Sequence, residues 1–315
     1  MSAAPSREAA AEAHTDRRAD DFLAPVLFGL VAAVRDGASR TSAPDDAEAI
    51  HDYRVALRRL RTALRPARRL YGKRRTRELS AELRRFAQAT SALRDEEVLR
   101  EILTALDLPS RSRGELDAWL VQRARQERAR RRDAIAQIAP GATRPRSRGP
   151  APGMEAPPPP PVPSLAETLA HLERRLHRRR LHASPAGAVA LAEETLAAAA
   201  ADVDALLGGH VHDAPAMHAL RIRYKRLRYA AEIFAPLLGD RAAAVASASA
   251  RMQKRLGELH DLEQAMVRIR RARGLPAGTR AAVVRALTRA RKRQRERVER
   301  DLVEERRRLH PAPEG

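Results

Sequence analysis

The feature that most constrains this fold is an internal repeat, because two copies of one segment adopt the same local structure and must both be accommodated. HDYRVALRRLR at residues 51–61 aligns without a gap on HALRIRYKRLR at residues 218–228, an offset of 167. Leu93-Arg94-Asp95 then aligns on Leu259-His260-Asp261 at an offset of 166, as one indel in an intervening turn would give. The two halves therefore read as a duplication, and the pattern inside each copy is helical. His51, Arg54, Arg58, Arg61 and Arg65 follow one another in steps of three and four, which places them on one helix face over about 21 Å. Tyr53, Leu57, Leu60 and Leu64 form the opposite, apolar stripe. In the second half His218, Arg221, Lys225 and Arg228 face away from Leu220, Tyr224 and Leu227. Glu232 stands where Arg65 does, so the second cationic stripe is shorter.

The rest of the chain has the same character. Apolar periodicity and turn signals predict helices at roughly 20–38, 45–71, 74–107 and 112–138, then at 165–182, 186–208, 215–238, 240–273 and 277–309. Only nine of the 315 residues are aromatic, so the core must come from Ala, Leu, Val and Ile, which favours helices over sheets. Residues 1–15 have no apolar period and read as a tail. Residues 140–164 hold the run Pro157 to Pro161 and read as a stiff, Pro-rich linker. The expected organisation is thus all-α: two four-helix bundles at 16–139 and 165–310, related by an internal pseudo-two-fold duplication and joined by that linker.

Charge narrows the function. Lys and Arg number 61 against 40 Asp and Glu, a formal charge of +21, and only four of the 61 are lysine. Such an excess points to a polyanionic partner, and the guanidinium fork suits phosphate oxygens taken in pairs. Between Tyr53 and Arg77 there are 11 basic residues and no acid; between His218 and Ala231 there are five, again without an acid. An ordinary solvated helix face mixes signs, since like charges one turn apart destabilise by a few tenths of a kcal/mol each. Two matched acid-free stripes fit a bound row of phosphates better than a solvated face. Other basic positions, such as Arg123, Arg130 and Arg131, lie off the stripes and serve as a reference for generic charge.

Taken with the L-R-D and L-H-D elements, H-x-x-R-V-x-x-R-R-L-R and H-x-L-R-I-x-x-K-R-L-R-Y-x-x-E resemble the CHAD family, the conserved histidine α-helical domain, over about residues 16 to 310. The resemblance implies basic helices lining a cleft that binds inorganic polyphosphate, and targeting to polyphosphate granules. Carried onto this sequence, the ligand face comprises His51, Arg54, Arg58, Arg61 and Arg65, mirrored by His218, Arg221, Lys225 and Arg228. Arg94 and His260 contribute from the next helices, with Asp95 and Asp261 orienting cations. The CYTH triphosphatase often fused to such domains has no counterpart of its Glu-x-Glu-x-Lys motif here. The expectation is a non-enzymatic binding protein without cofactor or metal, cytoplasmic and located at polyphosphate granules.

Three other readings follow from the residues. Duplex or single-stranded nucleic acid is also a polyphosphate, and a basic protein binds it non-specifically; single-strand platforms need exposed aromatics, for which only Tyr71 and Tyr229 are candidates. His210, His212, Asp213 and His218 are close enough in sequence to ligate a metal, although they straddle a helix start. Membrane insertion is not expected, since the strongest apolar run, Phe22 to Val34, has 13 residues and includes Pro25, against roughly 20 for a spanning helix. For the same segment a secretion signal is disfavoured by its late start and by Asp20 and Asp21 before it. Zero cysteines exclude disulfides, thiolate zinc sites and thiol nucleophiles. The last helix carries 12 Arg and Lys against five acids between Arg280 and His310, either as an extension of the site or as a solvated coil.

Overall fold

Leu23, Leu27, Val31, Val34 and Ala38 recur at steps of three and four, and all five are buried on one side of the first helix, α1 (Ala19–Arg40). The computed structural model describes residues 17–41, 43, 48–138, 163–177, 187–208 and 213–309, the last four of these by their backbone alone. The expected tail at 1–15 and nearly all of the expected linker at 140–164 lie outside the described residues, as do His210 and His212. Among the described residues the chain is helical apart from turns and one isolated bridge between Arg18 and Gly187. The helices after α1 are α2 (Ala49–Ala63), α3 (Arg68–Tyr71), α4 (Lys73–Ala89), α5 (Ser91–Thr104), α6 (Ser110–Ile138), α7 (Leu165–His177), α8 (Ala188–Leu207), α9 (Ala214–Arg270) and α10 (Ala277–Leu309).

Two expected helices are broken where backbone chemistry requires it. The segment 45–71 ends as α2 at Ala63, because Pro66 has no N–H to continue the ladder, and it restarts as the single turn α3. The segment 74–107 bends at Thr90 (φ −98°, ψ 1°) between α4 and α5. Conversely, α9 runs over two expected helices that meet at Gly239, whose φ of 59° suits a residue without a Cβ. Its two arms, 214–238 and 240–270, share one core.

The described residues fall into two compact units, and these do not follow the division expected from the repeat. One, the early unit, is drawn from Asp20–Arg94 and Glu127–Pro185; the late unit takes Asp95–Gln126 together with Met1–Ala19 and Ala186–Gly315. Apolar packing explains the exchange. Leu99 and Leu103 of α5 with Leu116 and Trp119 of α6 pack on Met266 and Ile269 of α9 and on Val283 and Leu287 of α10. Buried Glu96 joins the same helices: Arg123 Nε lies 2.7 Å and Arg268 Nη1 3.0 Å from its oxygens. In the early unit α7 buries Leu165, Leu169, Leu172 and Leu176. Thr168 donates to Glu82 of α4 at 3.1 Å, and Arg35 of α1 pairs with Glu173 at 2.9 Å.

At 22 residues α1 is, by length and composition, apolar enough to cross a membrane. The run-length reading counted 13 apolar residues, and the helix adds less apolar ends to them. Its fully buried stripe also has a partner within the unit. Gly37 of α1 crosses α2 so closely that an added Cβ would meet Tyr53 Cα at 2.8 Å, a backbone contact that cannot swing aside. Gly37→Ala should therefore destabilise the protein by about 1–3 kcal/mol through overpacking. Gly29→Ala, where nothing lies within 4 Å, should be neutral or stabilising by about 0.5–1 kcal/mol. Thermal unfolding followed by circular dichroism gives the order; equal midpoints for the two variants would contradict the close crossing.

Candidate functional site

In the early unit the stripe on α2 is where the repeat placed it: Ile50, Tyr53, Leu57 and Leu60 are buried, Arg54, Arg58 and Arg61 are half-buried, and His51 and Arg65 are exposed. Half-burial matters because a guanidinium withdrawn from water without an anion is costly. The Nε of Arg61 is buried without a hydrogen-bond partner. Burial, and then the neighbouring Arg84 of α4, press its pKa below the ordinary arginine value. Burial, then Arg65 and Arg77, do the same to Arg68. Arg68, Arg77 and Arg84 thus extend the cationic face beyond the residues expected from the repeat. Arg77 and Arg84 lie seven apart on α4, a two-turn spacing that puts both on one face and was readable in the sequence.

Arg54 differs from its neighbours in having a second task. Its Nη1 donates to the Ala87 carbonyl at 3.0 Å and to the Thr90 hydroxyl at 2.9 Å. Those groups belong to the bend between α4 and α5, so Arg54 fastens the corner from which half-buried Arg94 projects one turn later.

In the late unit the structure brings together His218 and His260, whose ring centroids are 4.9 Å apart with planes tilted by 48°. They come from opposite arms of α9, which is why the turn at Gly239 is needed to form the pair. Burial, then Arg221, then His218 push the His260 pKa down to about 4. Burial, Arg221 and Lys225 also lower His218. Four expected site residues are therefore in electrostatic contact. Cations on other faces of the same arm are compensated: Asp202 takes Arg223 at 3.0 Å and lies 3.9 Å from Arg226.

Arg228 is the least available member of the second stripe. It pairs with Glu232 at 2.7 Å and lies over the Tyr229 ring at 5.5 Å from the centroid. At the equivalent place in the early unit Arg61 has a second cation beside it instead of an acid, so the two faces are unequal in charge. Of the orienting acids, Asp95 receives Arg268, its carboxylate at 3.4 Å and its carbonyl at 3.1 Å. Asp213 caps α9 by accepting the Ala216 N–H at 2.7 Å. Among the described residues no three His, Asp or Glu side chains are grouped as a metal would need.

The aromatic candidates for base stacking are buried, Tyr71 at 9% and Tyr229 at 3% exposure. Tyr53 and Tyr224 are buried on the apolar sides of their helices, as the stripe pattern requires.

This arrangement can be set beside known proteins. No curated protein sequence matches the chain. Among solved structures, the crystal structure of the CHAD domain from the plant Ricinus communis is similar, with a TM-score of 0.63 and 21% identity, covering 95% of this chain and 90% of that one. At that identity the likeness speaks for the fold alone. The family model of the CHAD domain matches residues 26–270, which contain both stripes, the corner at Thr90 and both histidines of the pair. On that match the chain belongs to the CHAD domain family.

Proposed function

We propose that this protein binds inorganic polyphosphate through the two histidine-headed cationic faces, on α2 and on the first arm of α9. The observation that supports this most is that each face holds cations together against their own repulsion. Arg61 is depressed by burial and by Arg84, and His260 by burial, Arg221 and His218. A protein at rest gains nothing from such an arrangement, whereas an anion removes the penalty and takes the forks in pairs. The unequal faces descend, on this reading, from a duplicated four-helix bundle whose halves later diverged at Glu232. α1 is read as a core helix, and the cytoplasm, at polyphosphate granules, as the place of action.

Nucleic acid is the second reading. Burial of Tyr71 and Tyr229 argues against a single-strand platform, which leaves the duplex backbone as competitor. Competition at matched phosphate concentration and physiological salt decides between them. Polyphosphate should displace labelled duplex DNA at the lower phosphate concentration, and its affinity should fall linearly with salt on logarithmic axes; the reverse order of displacement would overturn the reading. The faces hold cations and imidazoles rather than the acids that position a metal and a nucleophile for phosphoryl transfer. Repurified protein with magnesium or manganese should therefore release no phosphate from tripolyphosphate, and sustained turnover would make it an enzyme.

A further inference from the structure

Helix α10 carries a cationic face that the histidine-headed stripes do not use. From Arg268 to Arg295 there are 11 Lys and Arg and no acid, as many as in the early acid-free segment from Tyr53 to Arg77. Arg285, Arg289 and Lys292 follow at steps of four and three with Arg293 beside them, a row about 12 Å long, and all four side chains are exposed. Among the described residues none of the four has an ion pair or a side-chain hydrogen bond. The five acids of the helix are collected in its other half, where Glu299 takes Arg295 at 2.9 Å and Asp301 takes Arg255 at 3.3 Å. The row begins two turns inside the helix and ends four turns before its C-terminus, beyond the reach of the helix dipole, and like charges one turn apart along it repel. Helix stability therefore does not account for this charge order.

The opposite side of α10 buries Val283, Leu287, Val298 and Leu302. Val298 and Leu302 share a core with Leu220, Tyr224 and Leu227, the apolar stripe behind His218, Arg221 and Lys225. Val283 and Leu287, which flank the row itself, pack instead with Leu99, Leu103, Leu116 and Trp119, so the row and the histidine-headed stripe stand over different cores of the late unit. We propose that the outer face of α10, with Arg285, Arg289, Lys292 and Arg293, is a second polyanion site that takes its own polyphosphate chain, so that the protein cross-links chains. This rests on the polyphosphate reading above. A phosphate chain fits better than a base-bearing strand, because no Phe, Tyr or Trp occurs between Arg268 and Leu309. The nearest indole, Trp119, is buried and donates to the Arg273 carbonyl at 2.9 Å.

The test uses the full chain and the fourfold variant Arg285→Gln, Arg289→Gln, Lys292→Gln, Arg293→Gln, since Gln propagates a helix nearly as well as Arg; unchanged helicity by circular dichroism validates it. Titration with short polyphosphate of defined length should lose one binding step in the variant, while the remaining affinity stays within about threefold. With long chains labelled as donor and acceptor, wild type should bring the two labels together, and the variant should need at least about tenfold more protein to do so. Identical step number and cross-linking in both proteins would overturn the inference and leave the polyphosphate reading standing. So would loss of every step at once, or loss of duplex DNA binding alone. Absence of polyphosphate binding by wild type would instead defeat the underlying reading.

Discussion

Replacing Arg58, Arg61 and Arg65 together by Gln is expected to weaken polyphosphate binding about 100-fold at physiological salt while raising, not lowering, the melting temperature. The loss follows from three charge-assisted contacts at about 1 kcal/mol each after exchange with water, roughly 3 kcal/mol in all. The logarithmic salt slope should become shallower by about two units, at about 0.7 per phosphate contact for a single-stranded backbone. The gain in stability follows from Arg61, whose buried Nε has no hydrogen-bond partner and whose charge sits beside Arg84. Opposite signs in binding and stability are what a ligand face produces; a structural cluster would lose both. Arg54 is left out because its bonds to Ala87 and Thr90 hold the bend before α5, so its removal would confound the two effects. The reference for generic charge also changes. Arg123, one of the off-stripe positions suggested by the sequence, pairs with buried Glu96, and exposed Arg128, Arg130 and Arg132 replace that set. Equal loss from the reference triple, or a lower melting temperature in the stripe triple, would defeat the expectation.

How the fold came to be legible can be followed residue by residue. Steps of three and four place Tyr53, Leu57 and Leu60 on one side of a helix whatever surrounds it, and they are buried in the structure. The same periodicity located the boundary at Gly239, but it ran α4 and α5 together across the bend at Thr90. Local pattern does not say which helices pack together. Nothing near Leu99 or Trp119 indicates that α5 and the start of α6 pack with α9 and α10, nor that α7, beyond the Pro-rich segment, packs on α4. Those choices depend on surfaces distant in sequence, so the expected bundles at 16–139 and 165–310 and the observed units differ there. The site divides the same way. The stripes were legible because the repeat doubles their signal. The pairing of His218 with His260 depends on a reversal of direction at one glycine, and the role of Arg84 depends on how α4 lies against α2.

The histidine pair carries the second large effect, a pH dependence that belongs to the late unit. Its early counterpart has Arg94 where His260 stands, and arginine keeps its charge over this range. In the free protein burial, Arg221 and the facing ring hold His260 at about 4, and burial, Arg221 and Lys225 hold His218 below its ordinary 6.5. A bound phosphate offsets those cations and stabilises imidazolium, so binding takes up protons and affinity should rise as pH falls, by at most about tenfold per unit for each proton gained. An unperturbed imidazole would centre this window near 6.5; burial, and then the neighbouring cations, move it downward, to between about 6.5 and 4. Stability runs the other way. Because both pKa values are depressed by folding, the unfolded chain binds more protons in that window, and the free protein should lose stability as pH falls through it. Replacing His218 and His260 by Gln keeps a donor at each place and removes both titrations, so the affinity slope and the stability slope should flatten together. Proton uptake on binding, measured by calorimetry at pH 5.5 in buffers of different ionisation enthalpy, reads the same quantity directly. Full slopes in the double variant, or no uptake by wild type, would assign the pair a purely structural part in joining the two arms of α9.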